Sequence, residues 1–177
     1  MKWIALFSQT GSELVNIMTK TGMTPGLILT NNLRQDKYKI HPDLNRGRVV
    51  SMSHNEIMDT LRHTSPITVT LHGYLRILDA DVCHTHSIYN GHPGLITKYP
   101  ELKGKDPQLK VWQDMEKYPI IGSVLHRVTP DVDEGPIEYS YSVPNQCKSL
   151  DELFLTLKDT SLYTWLQFFG VGNANWI

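Results

Sequence analysis

Residues 3–12 read Trp3-Ile4-Ala5-Leu6-Phe7-Ser8-Gln9-Thr10-Gly11-Ser12. The first half of this stretch is apolar at every position, which is typical of a strand that is buried on both faces of a sheet. The second half is small and polar, and Thr10 with Glu13 matches the capping box that begins a helix. The stretch therefore predicts a buried strand, a short loop and a helix. The apolar face of that helix consists of Leu14, Ile17 and Met18.

A second apolar run, Gly26-Leu27-Ile28-Leu29-Thr30, follows the helix. Strand, helix and strand together predict a β-α-β unit, in which the strands are parallel and the crossover is right-handed. Ligands of such sheets bind beyond the carboxyl ends of the strands, where a helix N-terminus offers free N–H groups to an anion. Gly11 and Ser12 lie at that point of the sequence, so they are candidates to hold a phosphate. The alternative is a turn that only connects strand to helix; no glycine fingerprint of a dinucleotide site is present.

The alternation of strands and helices continues along the rest of the chain. Further strands are expected at residues 48–51, 67–71, 87–89, 120–128 and 137–143. Residues 31–45 are polar and without a period, which indicates an exposed loop. Helices are expected to begin near residues 53, 79, 107 and 149, and Ser53 with Glu56 and Ser149 with Glu152 match two more capping boxes. The fold class is therefore α/β, with a mostly parallel sheet, helices on both faces and an antiparallel hairpin near the C-terminus.

The helical segment from about residue 149 carries two groups of apolar residues. The first group is Leu150, Leu153, Phe154 and Leu157, and the second is Leu162, Trp165, Leu166 and Phe169. Their helical spacing indicates core packing of a helix in two pieces. Because 177 residues suit one domain, we expect a single domain over residues 1–177 with this helical segment at its end.

The composition excludes several classes of partner. The chain has 17 Lys and Arg against 18 Asp and Glu, a formal net charge of -1, so no basic field favours nucleic acid. No apolar stretch is long enough to span a bilayer, and the apolar run at the N-terminus is too short for a signal peptide. The two cysteines, Cys83 and Cys147, cannot form a disulfide framework. We therefore expect a cytoplasmic protein with free thiols that acts on a small molecule, without nucleic acid or membrane.

A short polar motif, Asn90-Gly91-His92-Pro93, follows the strand expected at residues 87–89. An acidic turn, Asp131-Val132-Asp133-Glu134, follows the strand expected at residues 120–128. An amide can donate to a developing oxyanion, an imidazole can donate or accept a proton near neutral pH, and a carboxylate can fix the charge of the imidazole. Brought to one sheet edge, these groups would support acyl transfer without a metal or a covalent nucleophile. Either Asp131 or Asp133 can supply the carboxylate, and the alternative is an ordinary loop histidine.

Several other histidines have two interpretations. Cys83-His84-Thr85-His86 contains metal-ligand types, but soft ligands so close in the sequence need partners elsewhere. A surface helix with ordinary histidines is therefore favoured, and no metal is expected. His126 lies in an apolar strand and His72 precedes a loop; each is either a satisfied buried histidine or a residue that supports the site.

Five short motifs follow one another along the chain. They are Gly11-Ser12-x-Leu14, Gly73-Tyr74-Leu75-Arg76-Ile77-Leu78, Asn90-x-His92-Pro93-x-Leu95, Lys98-Tyr99-Pro100 and His126-x-Val128-Thr129-x-x-x-Asp133-x-Gly135-Pro136. Over about residues 1–143, their order and spacing resemble the folate-dependent formyltransferase family, most closely its glycinamide ribonucleotide transformylases. The resemblance implies a Rossmann-like fold. It also implies transfer of a formyl group from 10-formyltetrahydrofolate, as co-substrate, to an amine such as glycinamide ribonucleotide or a related phosphorylated amine.

The resemblance implies a role for each matching residue. Asn90, His92 and Asp133 match the catalytic residues of the family. Gly11 and Ser12, with Glu13 beside them, match the loop that grips the phosphate of a ribonucleotide acceptor. The pocket for the pterin ring, where backbone groups do much of the recognition, is matched by Leu75, Arg76, Ile77 and Leu78 and by Thr129, Pro130, Asp131 and Val132.

The chain departs from the family pattern at three positions. Glu13 stands where the family usually has Asn, and Gly94 and Thr97 stand where it tends to have Ser and Pro. A carboxylate beside a phosphate loop adds repulsion unless it turns away to cap the helix, so the departures bear more on the acceptor than on catalysis. The alternatives are amino-sugar N-formylation, formyltetrahydrofolate hydrolysis, and a folate- or nucleotide-binding module without catalysis. We expect a monomer or a homodimer.

Overall fold

The structure is a computed structural model and describes residues 2–33, 39–46 and 49–171. The chain divides into two compact units. The first unit consists of Met1–Asn90 and Arg127–Glu134, and the second consists of Gly91–His126 and Gly135–Ile177. Each unit has a hydrophobic core of its own.

The first unit contains a parallel sheet. Neighbouring strands lie in the order β3-β2-β1-β4-β5, and each pair is parallel. The central strand β1 lies between β2 and β4 and is buried at all five positions, as its unbroken apolar run predicts. The strands are β1 (Trp3–Phe7), β2 (Leu27–Thr30), β3 (Val49–Ser51), β4 (Thr68–Leu71) and β5 (Ser87–His92), of which the last two residues of β5 belong to the second unit. The helices are α1 (Ser12–Thr21), α2 (His54–Arg62) and α3 (Ala80–Thr85), and Pro42–Arg46 form a 3-10 turn.

The core of the first unit is built from strands and helices together. Burial of one Leu, Ile or Val side chain contributes about 1.5–3 kcal/mol to the free energy of folding. The core packing therefore fixes the positions of the strands whose carboxyl ends carry the candidate site residues. Its fully buried members include Leu6, Leu29, Val69 and Ile88 from the sheet and Ile57, Leu61 and Val82 from the helices.

The second unit contains an antiparallel strand pair. β6 (Ile120–Arg127), whose last residue belongs to the first unit, pairs with β7 (Ile137–Pro144), with an irregular register between Leu125 and His126. Two helices, α4 (Pro107–Gln113) and α5 (Leu150–Phe168), and 3-10 turns at Pro100–Leu102 and Met115–Lys117 complete the unit. The core residues of this unit include Leu95, Ile96, Leu102, Val111, Tyr118, Ile121, Val124, Leu153 and Leu157.

The expected fold class is confirmed, because parallel strands alternate with helices and an antiparallel pair follows. The expected strands and helices match the observed elements closely. The predicted first residue of β3, Arg48, lies outside the described residues, as do residues 34–38 of the expected loop. Within the described part of the chain, no helix is both long and apolar enough to cross a membrane.

Three expectations about the elements are wrong. β5 does not end at Asn90, which pairs with Leu71 of β4, but continues to His92. α5 is one continuous helix of 19 residues, and Phe154 is 43% exposed because Leu153 and Leu157 take the core-facing positions. The polar segment 31–45 is not wholly exposed, because Leu44 is fully buried.

The three expected capping boxes have different outcomes. The box of Ser53 and Glu56 is confirmed, and the hydrogen bonds from Ser53 hold the pKa of Glu56 below its usual value. At Ser149 only half of the box forms, because the Glu152 carboxylate accepts from the Lys148 N–H instead. The box of Thr10 and Glu13 is wrong, since Gly11 is the N-cap residue of α1.

Candidate functional site

Two loops that the sequence places at the ligand edge lie side by side in the first unit. The loop after β1 and the loop after β4 are joined by hydrogen bonds from Ser8 N–H to Gly73 O, at 3.3 Å, and from Leu75 N–H to Ser8 Oγ, at 2.8 Å. They are also joined where His72 Nδ1 lies 3.1 Å from Glu13 Oε2. The carboxyl ends of the neighbouring parallel strands β1 and β4 therefore form a continuous edge.

The start of α1 has a backbone that requires glycine. Gly11 has φ of 72°, in the left-handed region, and a Cβ at this position would overlap Leu44 Cδ1. The Ser12 N–H donates to Thr10 Oγ1 at 3.3 Å. The turn is therefore tightly packed, and a side chain of the turn itself accepts from one of its backbone N–H groups.

In the loop after β4, the residues expected to bind the pterin ring differ in exposure. Leu75, Ile77 and Arg76 are exposed, the first two by 66% and 68%. Leu78 is 4% exposed and belongs to the core of the first unit, so its side chain is not available to a ligand. Tyr74 is also buried, its hydroxyl lies 2.9 Å from His54 Nδ1, and burial raises its pKa to about 12. Buried Tyr74 and Leu78 thus flank an exposed loop segment that carries Leu75 and Ile77.

The acidic turn is a compact structure of the first unit. Val128 N–H donates to Ile88 O at 2.8 Å, which fixes the start of the turn beside β5. Thr129 Oγ1 donates to Asp131 O at 3.0 Å. Asp133 has φ of 55°, a left-handed conformation that is rare for residues with a side chain and that Asp tolerates better than most. Asp131 and Val132 are exposed, whereas Asp133 is partly buried.

The Asn-x-His motif lies on β5. Asn90 is partly buried and is the last residue of β5 in the first unit. In the second unit, His92 is 5% exposed, and its Nε2 lies 2.9 Å from the carbonyl oxygen of Leu102. A carbonyl oxygen only accepts, so Nε2 carries a hydrogen. Nδ1 is therefore the ring nitrogen that does not contact Leu102 O.

Two glycines surround His92 closely in the second unit. A Cβ on Gly91 would lie 2.9 Å from Trp165 Nε1 and 3.2 Å from Ser161 Oγ, so α5 packs directly on the backbone of β5. A Cβ on Gly94 would lie 3.3 Å from both Cδ2 and Nε2 of His92. The imidazole therefore has little space to move.

The segment Cys83–His86 and His126 differ in burial and in hydrogen bonding. Cys83 is a core residue and burial raises the pKa of its thiol. His86 is 1% exposed, accepts from Ile67 N–H at 3.3 Å through Nδ1 and donates to Leu61 O at 3.0 Å through Nε2. In the segment Cys83–His86, His84 and Thr85 are exposed whereas Cys83 and His86 are buried, so the surface-helix interpretation is wrong for Cys83 and His86. His126 is buried in β6.

Several contacts of the candidate residues have no signal in the sequence. The Leu102 carbonyl that holds His92, the Ser161 hydroxyl beside Gly91 and the pairing of Glu13 with His72 all join residues distant along the chain. Periodicity and motif spacing describe local backbone and do not indicate such partners.

No protein-family model matches the sequence, and no curated protein does so either. Several solved structures have a similar fold. A phosphoribosylglycinamide formyltransferase from Campylobacter jejuni has a TM-score of 0.75 at 20% identity, over 92% of this chain and 92% of that one. Another, from Bacillus halodurans, has a TM-score of 0.75 at 19% identity, over 94% of each chain. A formyltetrahydrofolate deformylase from Pseudomonas syringae has a TM-score of 0.72 at 18% identity, over 94% of this chain and 59% of its own. The chain therefore has the fold that these proteins share.

Proposed function

We propose that this chain transfers a formyl group from 10-formyltetrahydrofolate to an amine acceptor, with glycinamide ribonucleotide or a related phosphorylated amine as the first acceptors to test. A fold shared with phosphoribosylglycinamide formyltransferases along at least 92% of the chain supports this proposal. The proposal rests mainly on the burial and the hydrogen bond of His92. In a chain of this fold, the imidazole marked by the motif is 5% exposed and is held through one nitrogen by a backbone carbonyl. Such a histidine presents its other nitrogen in a fixed direction.

The proposed reaction is a direct transfer. The neutral acceptor amine attacks the formyl carbon, a C–N bond forms, and the carbonyl oxygen becomes an oxyanion. The bond from that carbon to N10 of the folate then breaks, and the proton lost by the amine passes to N10 through water. In this proposal Asn90 donates to the oxyanion, His92 stabilises the same charge when its ring is protonated, and Asp133 stabilises the protonated ring. No covalent bond to the enzyme forms.

The proposed folate pocket consists of the loop at residues 75–78 and the turn at residues 129–132. Leu75, Ile77 and Val132 expose 66%, 68% and 52% of their surface, and all three lie in the first unit. Exposed large apolar side chains are typical of surfaces that a ligand covers. A flat aromatic ring system would remove this apolar area from water, while backbone N–H and C=O groups fix its orientation.

Hydrolysis of 10-formyltetrahydrofolate is the second candidate function, because formyltetrahydrofolate deformylases are among the proteins of similar fold. Water would then replace the amine, and the same three residues would stabilise the oxyanion. Release of tetrahydrofolate from 10-formyltetrahydrofolate separates the two functions when it is measured with and without candidate amines. We expect release that depends on an amine. Equal release without any amine would establish hydrolysis, and folate binding without release would establish a binding module.

Gly94→Ala is expected to lower the turnover number while leaving folate binding almost unchanged. The added methyl would lie 3.3 Å from His92 Cδ2, from His92 Nε2 and from Leu102 Cβ, so the imidazole must shift by a few tenths of an ångström. A displacement of about 1 Å near reacting groups costs about 10²-fold in rate, so a smaller shift should cost about tenfold. Steady-state kinetics and a folate titration give the two numbers. Thr97→Ala, an exposed change in the same loop, is the control, and an unaltered turnover number for Gly94→Ala would show that His92 is not constrained in this way.

A further inference from the structure

The carbonyl that holds His92 lies in a short turn of the second unit, residues 99–103. Two N–H groups of this turn donate to its first two carbonyls, at 2.9 and 3.1 Å, so these oxygens are used inside the turn. Leu102 O accepts from His92 Nε2 at 2.9 Å. The carbonyls of Glu101 and Lys103 are left for donors from outside the turn.

Lys110 of α4 supplies both of these donors. Its Nζ lies 2.8 Å from Glu101 O and 3.1 Å from Lys103 O, and an ammonium has three hydrogens to donate. One side chain thus joins the residues on either side of Leu102. The Leu102 side chain is itself 2% exposed and belongs to the core of the second unit. Because the side chain is packed and both flanking carbonyls are held, the direction of Leu102 O is fixed.

A second lysine contacts the same turn through the side chain of Glu101. The carboxylate Oε1 accepts from Lys117 Nζ at 2.8 Å and from the Tyr118 hydroxyl at 3.2 Å. The hydrogen bond from Lys117 holds the pKa of the Glu101 carboxyl below its usual value. Both partners of this ion pair are exposed, so water competes with it and it fixes the turn only weakly. Lys110 is half-buried and binds the backbone of the turn directly, which makes it the stronger constraint.

We propose that Lys110 is a positioning residue, which fixes the turn that carries the Leu102 carbonyl and thereby fixes the imidazole of His92. This inference rests on the proposed formyl transfer and adds to it a residue that acts through another. The contacts lead from Lys110 Nζ to two backbone carbonyls, and from the residue between them to His92 Nε2. Without the ammonium, water can satisfy the exposed carbonyl, but it does not hold the turn in one geometry.

The kinetic test compares Lys110→Met with Lys110→Arg in the full-length chain. Met keeps an apolar stem without a donor, whereas the Arg guanidinium has several donors for the two carbonyls. We expect Lys110→Met to lower kcat about tenfold, since a displacement of about 1 Å near reacting groups costs about 10²-fold. The KM for 10-formyltetrahydrofolate should change by less than about twofold, and Lys110→Arg should restore most of kcat. Lys158→Met, which removes an exposed lysine from α5 of the same unit, is the control.

A double-variant cycle tests whether Lys110 acts through His92. In the His92→Ala chain, the further change Lys110→Met should leave the remaining rate unaltered. An equal loss of rate in both backgrounds would overturn the inference, because a merely structural role affects either chain alike.

A spectroscopic test uses the imidazole itself, without substrates. A buried and hydrogen-bonded N–H exchanges slowly with water, so the proton on His92 Nε2 should give an NMR signal that His92→Ala removes. We expect this signal in the unaltered chain and in Lys110→Arg, and its loss through faster exchange in Lys110→Met. Urea titration checks that each variant is folded. Lys110→Gln, which is shorter and neutral, takes the place of Lys110→Met if that chain does not fold, with the same expectations.

The two tests separate this inference from the proposed function. An unaltered His92 signal in Lys110→Met would overturn the inference, as would an unaltered kcat in that variant when the unaltered chain transfers formyl groups. Loss of the signal in Lys110→Met, together with no formyl transfer by the unaltered chain, would confirm that Lys110 positions the imidazole and would refute the proposed reaction.

Discussion

Replacement of His92 by alanine is expected to reduce the rate of formyl transfer by about 10²–10³-fold, the usual loss when one group that stabilises an oxyanion is removed. His92 is 5% exposed, and its Nε2 is already bonded to the carbonyl of Leu102, so Nδ1 is the atom assigned to catalysis. Single-turnover measurements of tetrahydrofolate release at saturating folate and amine give the chemical step directly.

The alanine variant also loses a buried hydrogen bond, which needs a control of its own. An unpaired buried carbonyl costs about 1–3 kcal/mol of the free energy of unfolding. His92→Gln separates the two effects, because its amide N–H can still donate to Leu102 O while the ring nitrogen is removed. We expect the same loss of rate with a smaller loss of stability. His84→Ala, an exposed histidine change, should alter neither quantity. Turnover within a few fold of the unaltered chain in both His92 variants would refute the proposed mechanism.

Gly122→Ala is expected to destabilise the second unit by about 3 kcal/mol, at the upper end of what overpacking costs. Gly122 lies on β6 opposite Ser142 of β7. A Cβ would overlap the Tyr141 carbonyl oxygen and lie 2.8 Å from Ser142 Cα and 3.0 Å from Leu95 Cδ2. Two of these neighbours are backbone atoms, so a rotamer change cannot relieve the contact. The strand pair must separate, which also disturbs the packing of Leu95.

The free energy of unfolding from urea titration measures this cost, with spectroscopic probes that report on both units. Gly26→Ala is the matched control, because neither glycine has a positive φ and the nearest atom to a Cβ on Gly26 is Trp3 O at 3.8 Å. We expect that control to change stability by less than about 1 kcal/mol. Similar free energies of unfolding for the two variants would show that β6 and β7 pack less closely than the structure indicates.

Local sequence patterns determined most of the secondary structure. The apolar run at residues 3–7 predicted a strand buried on both faces, and the structure places it between two parallel neighbours. Ser53 and Glu56 predicted a helix start that forms with both of its hydrogen bonds. These predictions succeed because a strand or a helix cap depends on residues within a few positions of one another.

The failed predictions show where local patterns compete. Thr10 and Glu13 have the spacing of a capping box, yet the left-handed Gly11 takes the N-cap position and Glu13 pairs with His72. Phe154 has the spacing of a core residue, but the direction in which α5 lies against its unit leaves it 43% exposed. In both cases the sequence allowed more than one arrangement, and tertiary packing chose between them.

The sequence by itself determined the order of strands and helices, the position of Asn90 at the end of a strand, and the acidic turn that contains Asp133. Only the structure showed that the strand continues to His92. Only the tertiary structure decided which groups hold those residues. Three contacts depend on packing between segments that are separated along the chain. They are the hydrogen bond of His92 with Leu102 O, the packing of α5 side chains against Gly91, and the contact of His72 with Glu13. The physical reason is range: backbone conformation follows from neighbours along the chain, whereas a buried polar group must be satisfied by whichever donor or acceptor the folded core brings within hydrogen-bond distance.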